Sequence, residues 1–244
     1  MRTDIAALQQ GVRNANDAIS MIQTADGALA VIDEKLTRMK ELAEQAATGT
    51  YDSTQRLMIE SEYQAMASEI TRIANATDFN GIHLLNGNLS SDTHDGSGLV
   101  STGKLKVHFG SMNDSAEDYY YIQIGTSTAS ALGVGNEAAP TSLAYTVSTQ
   151  QAAQSALVGL TEAVVSKDKI RAHLGALQNR LENTISNLTT QAENLQAAES
   201  RISDVDVATE MTRFVRNQIL TQSAVAMLSQ ANSLPQMAMQ LIGR

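Results

Sequence analysis

The sequence predicts a mainly α protein: an elongated antiparallel rod of long, coiled-coil-like helices with a small β-hairpin excursion. Three observations carry this. Leu174, Leu181, Leu188, Leu195 and Ile202 fall seven residues apart without a miss, and a strict seven-residue repeat keeps one seam facing a partner helix. Aromatic residues are 4% of the 244, with no Trp and three Phe, so burial rests on Leu, Ile, Val, Met and Ala, which suit helix seams better than a core built on large anchors. Nine of the fifteen glycines lie between Gly81 and Gly135, which confines turn-rich chain to one region.

The first segment, 1–85, reads as a hairpin of two rod helices. From Asp4 to about Thr48 the apolar positions are Ile5, Leu8, Val12, Ala15, Ile19 and Ile22, then Ala25, Leu29, Ile32, Leu36, Met39, Ala43 and Ala46. Steps of three and four alternate, and the extra step of three at Ile22–Ala25 is a stammer beside Gly27. Leu42 falls off this seam and reads as an ordinary exposed leucine. Thr48–Tyr51 breaks the helix, and Asp52 with Gln55 three residues later resembles a capping box. The second helix carries Ile59, Tyr63, Met66, Ile70 and Ile73 to near Thr77. A loop this short makes the pair antiparallel.

Residues 86–148 form the β excursion. Leu105, Val107 and Phe109 alternate with Lys104, Lys106 and His108, and Tyr120, Ile122 and Ile124 alternate with Tyr119, Tyr121 and Gln123; each alternation predicts a strand. Gly110 to Asp118 would be the turn, and residues 86–103 read as mobile loop.

The organising helix occupies 149–203, from about Gln150 towards Val205. Leu177, Ala198 and Val205 fill interleaved positions, and Lys169, Arg171, Asn179, Arg180, Glu182, Asn183, Asn187 and Glu193 read as its solvated face. Gly159 and Gly175 only lower its propensity. At about 1.5 Å per residue it would run about 80 Å, so the other helices lie along it. Segment 204–244 begins with a kink and a fresh N-cap at Ser203–Asp206, and a helix from Val207 to about Asn232 follows, ended by Pro235. Val207, Met211, Phe214, Val215, Ile219, Leu220, Val225, Met227 and Leu228 spread over a wide arc, and Met237, Met239, Leu241 and Ile242 follow. Nothing else in the chain is free to cover that surface, which points to an absent partner.

A net charge of −9 argues against nucleic acid, which requires a basic footprint. There is no apolar run for membrane insertion, no signal-peptide pattern and no Cys. His83, His94, His108 and His173 are scattered, Asp92–Asp95 reads as a polar loop, and Asp204 and Asp206 read as helix caps. No catalytic, cofactor-binding or metal site is predicted, and the chain is read as no enzyme.

At this point the residues resemble bacterial flagellin. Val12–Asp17 with Gln23–Leu29, Met39–Gln45 and Asp78–Gly81 are similar to its N-terminal hallmarks. Leu174–Leu181, Glu199–Asp204, Gln218–Leu220, Ser229–Asn232 and Pro235–Gln236 are similar to its C-terminal ones. The resemblance covers 1–85 and 145–244. It implies a secreted, self-assembling structural subunit of the flagellar filament that serves motility and is extracellular once passed through the flagellar export apparatus. The implied partners are other subunits, an export chaperone, and filament cap and hook-junction proteins. Assembly and chaperone contacts would fall on Val207, Met211, Phe214, Val215, Ile219, Leu220, Val225 and Leu228. Innate immune recognition by Toll-like receptor 5 would fall on Arg38, Glu41, Leu42 and Glu62. Two departures are expected: a helical segment upstream of Met1 is absent, and the large outer domains are missing from the short middle. A hook–filament junction protein, or a soluble helical module docking one partner through its last helix, are the alternatives.

Overall fold

The computed structural model describes residues 1–98, 102–115, 117–204 and 206–243. Its chain divides into two units, Met1–Asn194 and Leu195–Arg244.

In the first unit, α1 (Arg2–Ala47) and α2 (Ser53–Ala76) form the expected hairpin. Asp52 starts α2 through a reciprocal capping box. Its carboxylate accepts from Gln55 N at 2.7 Å, and Asp52 N donates to Gln55 Oε1 at 3.1 Å, satisfying two amides that a helix start leaves unpaired. Arg56 ties the turn by donating to Ala46 O at 3.0 Å and Thr48 O at 2.9 Å. On α2 the buried side chains are Ile59, Tyr63, Ala67, Ile70 and Ala74. Met66 and Ile73, expected on the seam, are half-buried, because a straight helix turns 3.6 rather than 3.5 residues and its inward face drifts.

Helix α4 (Gln150–Ser203) runs antiparallel along α1. Asp33 pairs with Lys167, Asp26 pairs with Arg171, and Leu8 shares a cleft with Leu188. Ala25, Leu29, Ile32, Leu36 and Met39 of α1 are fully buried, as are Leu160, Leu174 and Leu181 of α4 to within 1%.

Among the described residues, three two-stranded antiparallel pieces follow α2: β1 (Asp78–Phe79) with β2 (Ile82–His83) just before the excursion, and within it β3 (His94–Asp95) with β4 (Thr102–Gly103) and β5 (Leu105–His108) with β6 (Tyr119–Ile122). The last is the hairpin that alternation predicts. The first turns on Asn80 and Gly81, both at positive φ (52° and 79°), the pairing that suits a two-residue hairpin. The mobile-loop reading of 86–103 is corrected wherever the chain is described, and 99–101 lie outside the described residues. Leu89 is buried, Ile124 N donates to Leu89 O at 3.2 Å, and His94 Nδ1 lies 2.8 Å from Lys104 O. These anchors sit far apart in sequence, so composition alone read as loop. A short α3 (Ala129–Leu132), capped by Thr128 and ended by left-handed Gly133, completes the region.

The excursion docks on the helices where side chains vanish. A Cβ on Gly11 would lie 2.0 Å from Phe109 O, and one on Gly159 2.8 Å from Ala144 N. Gly159 is therefore a packing position, which corrects its reading as a mere loss of propensity. Asn14 Nδ2 donates to His108 O at 2.7 Å, and the buried Tyr63 hydroxyl donates to Ala144 O at 2.6 Å. Tyr120 lies against Phe109 (centroids 4.6 Å) and beneath the Arg180 guanidinium at 3.5 Å, which removes Arg180 from the merely solvated set. We expect Gly11→Ala to destabilise by about 1–3 kcal/mol, the scale of overpacking, even though alanine favours a helix by about 1 kcal/mol. Gly175→Ala, where a Cβ meets nothing within 4 Å, should stabilise instead. Urea melts of the two variants give the comparison.

In the second unit, the end of α4 is followed by α5 (Val207–Ile242). Asp206 caps α5, accepting from Ala208 N at 2.9 Å, and its carboxyl is held below the usual range by hydrogen bonds from the Thr209 hydroxyl and these amides. Pro235 lies inside the helix, correcting its reading as a stop. A proline removes one i→i−4 bond, but the Met237, Ala238 and Met239 that follow favour helix. Val205, read as a seam position, lies outside the described residues, as do the side chains of Leu241 and Ile242.

Candidate assembly and recognition surfaces

The α1–α2 hairpin gathers three of the charged candidates. Arg38 Nε and Nη2 donate to Glu62 Oε1 at 2.9 and 2.7 Å, and Arg38 Nη1 donates to Glu41 Oε2 at 2.9 Å. All three side chains are open to solvent. The bond to Glu62, then that to Glu41, raises the guanidinium pKa above its ordinary value. Spacing places Arg38 and Glu41 one turn apart, and the capped reversal at Asp52 brings Glu62 across.

Leu42 does not join them. It is 1% exposed, which corrects its reading as an exposed leucine. A single seam with alternating steps excludes position 42, but α1 is flanked on two sides at this level. Arg38 meets Glu62 of α2, while Lys40 and Glu44 border a cleft with Leu157 and Thr161 of α4. Two neighbours widen the buried arc, and Leu42, Ala43 and Ala46 all fall inside it.

Between α1 and α4 lies a polar pair of contacts that the sequence reading missed. Lys167 is 2% exposed, with Nζ 2.5 Å from Asp33 Oδ1 and 2.9 Å from Asp168 Oδ1. One signal was available: Lys167 sits seven residues before Leu174, on the repeat itself. Burial pulls its pKa down, but the bonds to Asp33 and Asp168 outweigh burial and raise it. Arg171, read as solvated, donates through Nε and Nη2 to both Asp26 oxygens at 2.7 and 3.1 Å. That hydrogen bond chiefly holds the Asp26 carboxyl below its ordinary value.

These shifts set a pH window. The folded pKa of Asp26 lies below the ordinary 3.8, so its contribution is present above that value and lost as pH falls through the folded one. The folded pKa of Lys167 lies above 10.5, so its contribution is present below that value and lost as pH rises through the folded one. The Asp26 pair is partly exposed, and screening limits it to about 1 kcal/mol. We expect Asp26→Asn to destabilise the fold near neutrality by that amount, read as a lower Tm, and to flatten the acid limb. A Tm–pH series from neutrality to below the carboxylate range checks it.

The seam candidates divide along α4. Leu174, Leu181 and Leu188 are buried, Leu195 is half-buried and Ile202 is 75% exposed. Ile202 is therefore corrected as a packed seam residue. The pairs that tie α1 to α4 have residue numbers summing to about 196–200, so Arg2, the first residue of α1, lies level with about Asn194.

On α5, every described side chain from 206 to 232 is exposed. Val207, Met211, Phe214, Val215, Ile219, Leu220, Val225 and Leu228 are among them. They share no single stripe. Among the described residues, no helix is long and apolar enough to cross a membrane, and no cluster of His, Asp or Glu is arranged to hold a metal ion.

Two family models match the chain: the bacterial flagellin N-terminal helical region over residues 1–90 and the C-terminal helical region over residues 157–242. The N-terminal match begins at residue 1, so the expectation of an absent upstream helical segment gains no support. The chain is 41% identical over 242 residues to the flagellar filament 33 kDa core protein of Treponema phagedenis, covering 99% of this chain and 82% of that one. It is 41% identical over 260 residues to a flagellin of Bacillus subtilis, covering 99% and 83%. Among solved structures, the Bacillus cereus flagellin is similar with TM-score 0.54 at 27% identity, over 77% of this chain and 94% of that one. A putative flagellar hook-associated protein of Vibrio parahaemolyticus, at 14% identity and TM-score 0.60 over 81% and 92%, shares the fold alone.

Proposed function

From the premise that this chain belongs to the bacterial flagellin family, as a structural subunit of the extracellular flagellar filament, we propose that it enters the filament through α5. The family is structural, not enzymatic, so the working mechanism is packing. One observation carries the reading: no described side chain of α5 from 207 to 232 is covered, although apolar residues face every side. A helix apolar all round is stable only when enclosed, and copies of the same chain supply the enclosure in a non-closing helical array. Before assembly, the same surface is the site for an export chaperone, and the finished filament ends at cap and hook-junction proteins; family resemblance supports these partners and the export route. The segments 1–85, 86–148, 149–203 and 204–244 then divide the work into rod hairpin, excursion, rod helix and assembly helix.

Seeded polymerisation tests it. The full chain should elongate filaments, and Phe214→Glu combined with Ile219→Glu should abolish elongation while leaving unit-one melting unchanged. Hydrogen exchange across 207–232 should be fast in the monomer and slow in the filament. Elongation by the double variant would remove α5 from the interface.

We propose further that the free monomer is bound by Toll-like receptor 5 at the Arg38–Glu41–Glu62 cluster. What supports this is the motif resemblance, together with three charged groups gathered on one exposed face. Arginine is a frequent anchor of such surfaces. Leu42 serves there from inside, by fixing α1 beneath Arg38. Arg38→Ala should weaken binding of the receptor ectodomain by more than about 1 kcal/mol with helicity unchanged. Unchanged affinity returns the cluster to an ordinary solvated face.

A further inference from the structure

Four of the ten methionines, Met211, Met227, Met237 and Met239, lie on α5, and all four are exposed. In the first unit Met21 and Met39 are buried, at 2% and 0%. At about 100° per residue, the later three α5 sulfurs stand about 160°, 80° and 280° around the helix from Met211. They are distributed over its whole circumference. Any packing that encloses α5 must therefore bury thioethers, whichever neighbour supplies each wall.

We propose that these methionines make α5 a reversible redox lock on assembly, a reading that rests on α5 being the assembly helix. The oxidant class is a hypohalous acid, hypochlorous acid in particular. The sulfur lone pair attacks chlorine, so that an S–Cl bond forms as the O–Cl bond breaks and hydroxide leaves. Water then adds its oxygen to sulfur and displaces chloride, losing two protons, one of which neutralises the hydroxide. Sulfur has given up two electrons, and chlorine has been reduced to chloride. The product is a sulfoxide: polar, chiral and an acceptor without a donor in an apolar seam. Burying it costs the interface, whereas the solvated free helix tolerates it. The buried Met21 and Met39 keep their thioethers, so the hairpin and α4 persist while α5 loses its fit. Reversal consumes two thiols per sulfoxide and yields a disulfide and water. The lock acts on the unassembled chain, because enclosure in the filament shields the same sulfurs.

The test treats free full-length chain and preformed filaments with stoichiometric hypochlorous acid. It follows peptide mass shifts and seeded elongation together. Sulfoxides should appear on the α5 methionines of the free chain and be scarce in filaments. Elongation by the oxidised chain should fall by at least about tenfold, the scale of one buried polar group left unpaired. Methionine sulfoxide reductases A and B with dithiothreitol should restore it. In a chain with Met211, Met227, Met237 and Met239 replaced together by Leu, oxidant should not lower elongation below that variant's own untreated rate. Replacing the exposed Met58 and Met112 by Leu should leave it sensitive. Equal elongation by the sulfoxide-bearing chain, or equal inactivation of the fourfold Leu variant, overturns the lock and leaves the assembly reading standing. Elongation by the Phe214→Glu, Ile219→Glu chain would instead overturn the assembly reading, and the lock with it.

Discussion

Leu42→Ala is expected to destabilise the first unit by about 2–5 kcal/mol, the range for truncating a fully buried leucine. The side chain is 1% exposed and lies among Met39, Ala43 and Ala46, all fully buried. Helices flank it on two sides, so the cavity cannot close by one neighbour sliding inward. Arg38→Ala, four residues away, should change stability far less, because its ion pairs with Glu41 and Glu62 are open to solvent. The contrast has a functional edge. A loss of receptor binding in Leu42→Ala reports unfolding unless it is measured well below that variant's melting temperature, whereas a loss in Arg38→Ala reports the surface. Urea unfolding of both variants, followed by helicity, measures the two costs. A Leu42→Ala chain within about 0.5 kcal/mol of the parent would mean the leucine is solvated after all.

The same residue shows what a sequence can and cannot display. Periodicity reveals helices because one face repeats, so the extents of α1, α2 and α4 and the capped restart at Asp52 were legible, as was the hairpin of β5 and β6. Periodicity counts one seam at a time, however. Where α1 meets α2 on one side and α4 on the other, the buried arc takes in Leu42, which no single seam includes. Lys167 was missed for the complementary reason. A charged residue on a heptad position reads as an interruption, and the arrival of Asp33 from 134 positions away, beside the neighbouring Asp168, makes its burial tolerable. Strands of two residues, such as those of β1 to β4, are too short for any alternation to register. Gly11 and Gly159 matter through backbones that approach from Phe109 and Ala144, contacts with no local signature. On α5 the apolar residues were plain to read, and so was the lack of anything to cover them. Pro235 misled because its rule describes one lost hydrogen bond, while the residues beyond it decide whether the helix resumes.

Leu181→Ala is expected to cost about 2–5 kcal/mol, and Ile202→Ala, on the same seven-residue repeat, less than about 0.5 kcal/mol. Pattern alone ranks them equally. Leu181 is 1% exposed, follows the Arg180 that covers Tyr120, and sits three residues before Thr184, whose hydroxyl bonds the Tyr120 oxygen and holds that phenol below its ordinary pKa. Truncating it opens a cavity where α4 and the excursion hairpin are both anchored. Ile202 is 75% exposed, so its truncation removes little from contact in the monomer. Asn187→Ala and Glu193→Ala, on the exposed face, should be near neutral. Denaturant midpoints of the four variants at constant slope decide the ranking. If Ile202→Ala proved as costly as Leu181→Ala in the isolated chain, the Ile202 side chain would be packed after all, and burial would not be what ranks the positions of this repeat.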